Sequence, residues 1–444
     1  MAPRRKIIID TDPGVDDILA ILLAFASNPD ELEIVLLSLT YGNVEVEKCL
    51  RNVISLFYNV HQEMKWRKKN GRPEGYGAVL ASKPLIAIGA DHPLTDAMLM
   101  ADYFHGTDGL GGIAESHPHL APDETWKAIF DQVSNSSKPE DEAARAELSE
   151  QEQLFKRSKL PAHEEILQQL RTHDQDEITI VAVGPMTNLA LAAAADPVAF
   201  LRVKEVVIMG GAVAVPGNIT PVAEFNTFAD SYAAARVYAL TSPRPSSTMP
   251  PVPPAPSGQT DSTPPPPHLA DYPKNLPKQL PITLFPLDIT SQHLLTKPHF
   301  DSTVKELKEQ GSPLAAWVDA FVSSTFRKVE SLRGDVMGDL SLEMHDPLCV
   351  WYCIAGHRPG WRVLADEDLR VETTGQWTRG MCVVDGRDRK KDEDKGEPEE
   401  DEGERKGDHG GWLSARRGNR IGRCIKTPGG EEFANDMLKR IFGI

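Results

Sequence analysis

Apolar positions along the first two hundred residues fall into two rhythms. Short continuous runs over 6–9, 33–39, 84–89, 178–183 and 204–209 read as buried strands, and each runs into a turn that contains Gly. Stretches of helical period follow, over 15–26 and 44–59 most clearly. Strands that alternate with helices predict an α/β fold, with a mostly parallel central sheet and helices on both faces, Rossmann-like in its winding. Ligands in such sheets bind outside the carboxyl ends of the strands, so the turns after the strands are where chemistry is expected.

Three stretches break the rhythm. Residues 123–161 are polar and charged with some helical character, 242–281 are dense in Pro, Ser and Thr, and 387–417 mix Glu, Asp, Lys and Gly. Such compositions bury too little apolar area to offset ordering entropy. The expectation is one domain over 1–444 with three insertions, the first partly helical and the other two disordered. The Pro-rich stretch could present polyproline segments to a binding module, but a tolerated surface insertion explains it more simply.

With 40% hydrophobic and 25% charged residues the 444-residue chain has the make-up of an ordinary globular protein. Its formal charge of −17 argues against nucleic acid or an anionic membrane as a partner, since both need a basic surface. The basic N-terminus leads into an apolar run that carboxylates interrupt after three residues, unlike a signal peptide. No apolar stretch approaches the roughly 18–20 residues of a membrane span, so a cytoplasmic protein is expected. Cys49, Cys349, Cys353, Cys382 and Cys424 lack paired short spacings. Cys349 and Cys353 share a helical face, where two buried thiols are the simpler reading than a metal or redox pair.

The strongest chemical signal is Asp10-Thr11-Asp12-Pro13-Gly14-Val15-Asp16-Asp17, four carboxylates in eight residues at a strand exit. Like charges packed so closely call for a cation, and a hard divalent ion with oxygen ligands is the natural one. Helix capping accounts for one of the four and leaves three without a reason. A strand followed by Asp-x-Asp also occurs in haloacid-dehalogenase-like phosphatases, but there the sequence does not continue with Pro-Gly and a second Asp pair.

Later segments decide between these readings. Gly42-Asn43 follows the second strand, Gly184-Pro185-Met186-Thr187-Asn188 the 178–183 strand, Met209 to Asn226 carries Gly210-Gly211 and Ala223-Glu224-Phe225-Asn226, and His345-Asp346 comes late. With the N-terminal Asp cluster these five marks, in this order, resemble the inosine-uridine preferring nucleoside hydrolase family over essentially the whole chain outside the insertions. The resemblance implies calcium-dependent hydrolysis of the N-glycosidic bond of ribonucleosides to free base and ribose. It implies Asp12 as general base and calcium ligand, with Asp17, Asp346 and the Val183 carbonyl completing the protein's ligands. Asp16 and Asn43 would hold the ribose 2′- and 3′-hydroxyls, Asn218, Glu224 and Asn226 its 5′ side, and Met209 and Phe225 would be apolar walls. His345 would assist departure of the base and His105 could touch it. A homodimer or homotetramer is the usual assembly in the family.

Oxocarbenium-like chemistry at a ribosyl carbon fits such a set, because it needs an activated water and polar groups around the ring. Asn188 reads as structural, fixing the turn that carries Val183. Trp317, Phe321 and Phe326 could stack on the base, but core packing is the favoured role for at least two of them. Two alternatives are phosphatase-like use of the Asp10-x-Asp12 pair and a silent nucleoside-binding protein on the same fold; the intact Asp12, Asp16, Asp17 and Asp346 speak against the second.

Overall fold

The computed structural model describes residues 4–121, 154–252, 267–332, 338–387, 389–392 and 406–444. In chain order the strands are β1 (Arg5–Thr11), β2 (Leu32–Leu39), β3 (Leu85–Ile88), β4 (Lys156–Arg157), β5 (Ile178–Ala182), β6 (Glu205–Met209) and β7 (Ile282–Phe285). They continue with β8 (Leu294–Thr296), β9 (Ser341–Glu343), β10 (Arg362–Glu367), β11 (Leu369–Val371), β12 (Cys382–Val384) and β13 (Ile421–Lys426).

Nine of these form one sheet in the order β10-β13-β7-β6-β5-β1-β2-β3-β4. All neighbours run parallel except β10 against β13. β1 lies inside the sheet and is apolar on both faces: Ile7 and Ile9 enter one core, Ile8 the other. Each buried Ile of this kind stabilises the fold by about 1.5–3 kcal/mol. The first core is built with α1 (Val15–Phe25), α2 (Val46–Lys69) and the helices Pro313–Leu332, His345–Ala355 and Gly430–Phe442. The second packs against the helices Ala162–Thr172, Thr187–Ala195 and Ser231–Ala239. The expected α/β architecture, helices on both faces, is therefore the observed one.

From β1 the chain winds outward through β2 and β3 on one side and through β5, β6 and β7 on the other. The order reverses at β1, which opens a crevice at the carboxyl ends of β1, β2, β5 and β6. Two short antiparallel pairs lie outside the sheet, β8 with β9 and β11 with β12. β9 delivers the chain to the His345–Ala355 helix, and the loop between β11 and β12 bridges Met381 to Ala223 beside the crevice.

α2 runs ten residues past the expected end at 59. Its polar C-terminal third is retained because Glu63 and Arg67 are buried as a pair, Arg67 Nε donating to Glu63 Oε1 at 2.8 Å. Glu63 also accepts from Ser312 Oγ (2.6 Å), while Arg67 Nη2 (2.9 Å) and Tyr76 Oη (2.7 Å) donate to the Ile441 carbonyl. Periodicity misses such a segment because its buried face carries charge.

The middle parts of all three expected insertions lie outside the described residues. Their described ends are anchored. The Arg236 guanidinium donates to the carbonyls of Leu269 (3.1 Å) and Ala270 (2.8 Å), and the Arg370 guanidinium lies 3.7 Å from the Trp412 ring centre. Trp317, Phe321 and Phe326 are all fully buried, with Trp317 edge-on to Phe321 at 5.1 Å. Core packing, the role favoured for at least two of them, is therefore the one all three take, on the inner face of the Pro313–Leu332 helix. All five cysteines are buried and free. No helix among the described residues is long and apolar enough to cross a membrane.

Candidate active site

β1 ends at Thr11, and Asp12-Pro13-Gly14 turns the chain into α1, whose first turn carries Asp16 and Asp17. Asp17 is held from four directions. Oδ1 accepts from Thr11 Oγ1 (2.6 Å) and Asp12 N (3.3 Å), and Oδ2 from Gly14 N (3.0 Å) and Asn43 Nδ2 (2.8 Å). Asp12 Oδ2 accepts from Asn43 N at 2.7 Å, whereas its Oδ1 is buried with no hydrogen-bond partner. The carboxylate is hemmed by two glycines. A Cβ at Gly42 would lie 2.1 Å from Asp12 Oδ2, and one at Gly184 would lie 2.6 Å from Oδ1.

Asp346 reaches the same place from the first turn of the His345–Ala355 helix. Asp16, Asp17 and Asp346 each offer an oxygen within 4.8 Å of the others. Burial, reinforced by the neighbouring carboxylates, raises the Asp346 and Asp12 carboxyls well above the usual range. Asp16 is pushed up to about 7 by burial and by Asp17. Carboxylates so close remain together only with protons or a cation among them. The unpaired Asp12 oxygen and the all-oxygen donor set fit a hard divalent ion. The cluster brings Asp16 into the group expected from Asp12, Asp17 and Asp346, and Asp12 stands at its side.

Asn43 commits both amide hydrogens to this loop, to the Asp12 carbonyl (3.1 Å) and to Asp17, which leaves its own amide oxygen as an acceptor. The Val183 carbonyl, at the end of β5, accepts from Asn226 Nδ2 at 2.9 Å and keeps a second lone pair. Glu224 is the N-cap of the Phe225–Ala229 helix: Oε1 accepts from Asn226 N (2.7 Å), Oε2 from Gly211 N (2.8 Å) and Thr227 N (2.9 Å). Asn218 Oδ1 accepts from Phe225 N at 2.9 Å. Met209, at the end of β6, and Phe225 form apolar wall. Asp16, Asn43, Val183, Met209, Asn218, Glu224, Phe225, Asn226, His105, His345 and Asp346 all line one cavity of about 360 Å³. Asp12 and Asp17, both buried, are not part of this lining.

The two histidines mark one end of the cavity close to the carboxylate cluster, His345 next to Asp346 on the same helix and His105 against the turn before α1. His105 Nδ1 accepts weakly from Val15 N (3.4 Å), and burial lowers its pKa to about 4, so the ring is neutral near neutral pH. His345 Nδ1 meets Thr290 Oγ1 at 2.8 Å and its Nε2 lies 3.3 Å from Glu343 Oε2. Burial lowers the His345 pKa and Glu343 opposes that shift.

Tyr103, Phe104, Thr325, Val329, Leu332 and Glu343 complete this end of the cavity. Reading the sequence did not single them out. Glu343 stands two residues before His345, but nothing in a three-residue strand shows which carboxylate faces a cavity. Asn188 clamps the ends of β1, β2 and β3: Nδ2 donates to Asp10 Oδ2 (2.9 Å) and the Leu39 carbonyl (3.0 Å), and Oδ1 accepts from Ala90 N (2.8 Å). Its role is structural, as expected, through the strand ends as a group.

The profile of the inosine-uridine preferring nucleoside hydrolases matches residues 7–401. The chain belongs to this family. Among curated relatives, an uncharacterized protein of Schizosaccharomyces pombe is 28% identical over 86% of this chain and 89% of its own length. The pyrimidine-specific ribonucleoside hydrolase RihA of Salmonella paratyphi B is 26% identical over 85% and 88%. Among solved structures, the purine-preferring ribonucleoside hydrolase from Gardnerella vaginalis superposes with a TM-score of 0.61 at 21% identity, over 99% of this chain and 98% of that one. An inosine-guanosine nucleoside hydrolase gives 0.59 at 20% identity, over 98% of both chains. The described residues thus share the nucleoside hydrolase fold, and ribonucleoside hydrolysis is the activity of this family member.

Proposed function

We propose that the protein is a calcium-dependent hydrolase in which Asp12 activates the attacking water. The observation that carries this reading is the buried cluster of Asp16, Asp17 and Asp346 beside an Asp12 whose Oδ1 lacks a partner. Asp12, Asp17, Asp346 and the free lone pair of Val183 O would hold the ion. Calcium, when bound, supplies the positive charge that makes the water more acidic.

Asp12 takes a proton from the water as its oxygen bonds to C1′ and the C–N bond breaks, its electron pair leaving with the base. Asp16 and the amide oxygen of Asn43 bind the ribose 2′- and 3′-hydroxyls. Asn218, Glu224 and Asn226 border the 5′ side, with Glu224 acting mainly by holding the backbone of that wall. Fixing the sugar in this way aligns C1′ with the water, an effect that reaches about 7–11 kcal/mol in well-oriented reactions. His345, with His105 near it, faces the departing base. The setting is a cytoplasmic homodimer or homotetramer in nucleoside catabolism and salvage, in keeping with the family.

The test follows release of base and reducing sugar from uridine, cytidine, inosine and adenosine, with and without a chelator, beside Asp12→Asn. Chelator-sensitive cleavage and a loss on the order of 10²–10⁴-fold in the folded variant are expected, the range of general base catalysis. Calcium binding without cleavage of any nucleoside would overturn the hydrolase.

A further inference from the structure

Asn52 lies on α2, buried, outside the cavity lining, and no step above uses it. Its Nδ2 donates to the Pro13 carbonyl at 2.8 Å and to the Asp108 carbonyl at 2.9 Å. Pro13 is the turn between Asp12 and the Asp16-Asp17 pair. Asp108 belongs to the loop that follows His105, and its carboxylate accepts from the backbones of Leu110 (2.8 Å), Gly112 (2.8 Å) and Ala114 (2.9 Å). Gly111 N donates to the His105 carbonyl at 2.7 Å. One carboxamide thus spends both donors on two loops that are distant in sequence and meet beside the site.

We infer that Asn52 is a positioning residue for the metal turn and for His105 together. The His105 ring itself meets the metal turn through Val15 N, and Gly14 leaves it room, since a Cβ there would lie 2.8 Å from His105 Nδ1. The joint is tight from the other side too. Gly109 has a φ of +81°, and a Cβ on it would lie 2.8 Å from Asn52 Nδ2. Without the amide the carbonyls of Pro13 and Asp108, both buried residues, lose this donor, and the loops are free to separate. Displacement of a group by about 1 Å costs on the order of 10²-fold in rate.

The inference rests on the hydrolase reading, and the experiment separates the two. Full-length Asn52→Leu keeps the volume and removes the donors. Asn59→Leu is the control: Asn59, also on α2, ties Ser55 O (2.8 Å) and Leu120 O (2.9 Å), away from both loops. Calcium alone is titrated calorimetrically, kcat and KM are measured at saturating calcium, and thermal midpoints are compared. Asn52→Leu is expected to weaken calcium by about 10–100-fold, as losses of residues that orient metal ligands do, and to lower kcat/KM on the order of 10²-fold, chiefly in kcat. Asn59→Leu lowers the midpoint and leaves both constants in place. Gly109→Ala strains the same joint and gives the same pattern should Asn52→Leu not fold. Equal behaviour of the Asn52 and Asn59 variants, or unchanged calcium affinity and kcat, would reduce Asn52 to a core contact. A wild type that binds calcium without hydrolysis refutes the hydrolase while the calcium titration still decides Asn52. A wild type that does neither removes both.

Discussion

The two ends of the cavity are built on different terms. At the end we propose for the sugar, three buried groups are tied: Asp17 accepts four hydrogen bonds, Glu224 three, and Asn43 donates three. At the end we propose for the base, Tyr103 is 52% exposed and Leu332 56%, and the Glu343 side chain is 47% exposed with Ser291 Oγ at 2.7 Å as its donor. The difference matches what each end must do. A ribose is the same in every ribonucleoside, so its site gains from rigidity, whereas the base varies and its site consists of replaceable surface. The names of the relatives run from pyrimidine-specific to purine-preferring on this one architecture.

The largest effect is expected where a carboxylate of the buried cluster is lost. Asp346→Asn should weaken calcium by more than the roughly 10–100-fold typical of a supporting residue, and calorimetric titration reads it directly; unchanged affinity would take Asp346 out of the ion's shell. Next comes Glu224→Ala. A lost N-cap costs about 0.5–2 kcal/mol, and Gly211 N is left unpaired as well, so denaturant midpoints should fall and KM should rise as the Phe225–Ala229 helix loosens. A variant as stable as wild type would show that the cap is dispensable. The smallest effect is expected at the exposed end. Leu332→Ala should leave calcium affinity alone and change the ratio of kcat/KM between two nucleosides by less than the 10–200-fold that a methylene in an enclosed pocket is worth. A collapse of activity on every nucleoside would erase the distinction between the ends.

The same division governs what could be read from sequence. The sugar end was legible because its residues sit at fixed offsets from strand ends: Asp12 and Asp17 after β1, Asn43 after β2, Val183 after β5, Met209 at the end of β6. Parallel strands place those offsets side by side, so one pattern reports both topology and site. The base end draws on Tyr103, Val329, Leu332 and Glu343, which come from a short helix, a helix end and a two-stranded ribbon. Their approach depends on how those pieces pack, and no spacing reports it. Apolar residues near the site were ambiguous for a related reason: Trp317 and Phe321 have the composition of a stacking platform, and helical phase turns them to the core, the role favoured for at least two of the three aromatics. Chain beyond the five motifs was also less legible. β7, β10 and β13 extend the sheet without a motif, and α2 continues through Glu63 and Arg67 because each buried charge is answered by residues some 250 to 370 positions away.

That last arrangement bears on how the protein is made. Arg67 emerges early in synthesis, but the Ile441 carbonyl that it shares with Tyr76 comes almost four hundred residues later. Until then a cation and a phenol stand at the edge of the first core without their acceptor. A nascent chain can assemble the site strands β1, β2, β5 and β6 long before it can seal that corner, so a ribosome-stalled or C-terminally clipped product would hold the catalytic strands in a body still open to proteases.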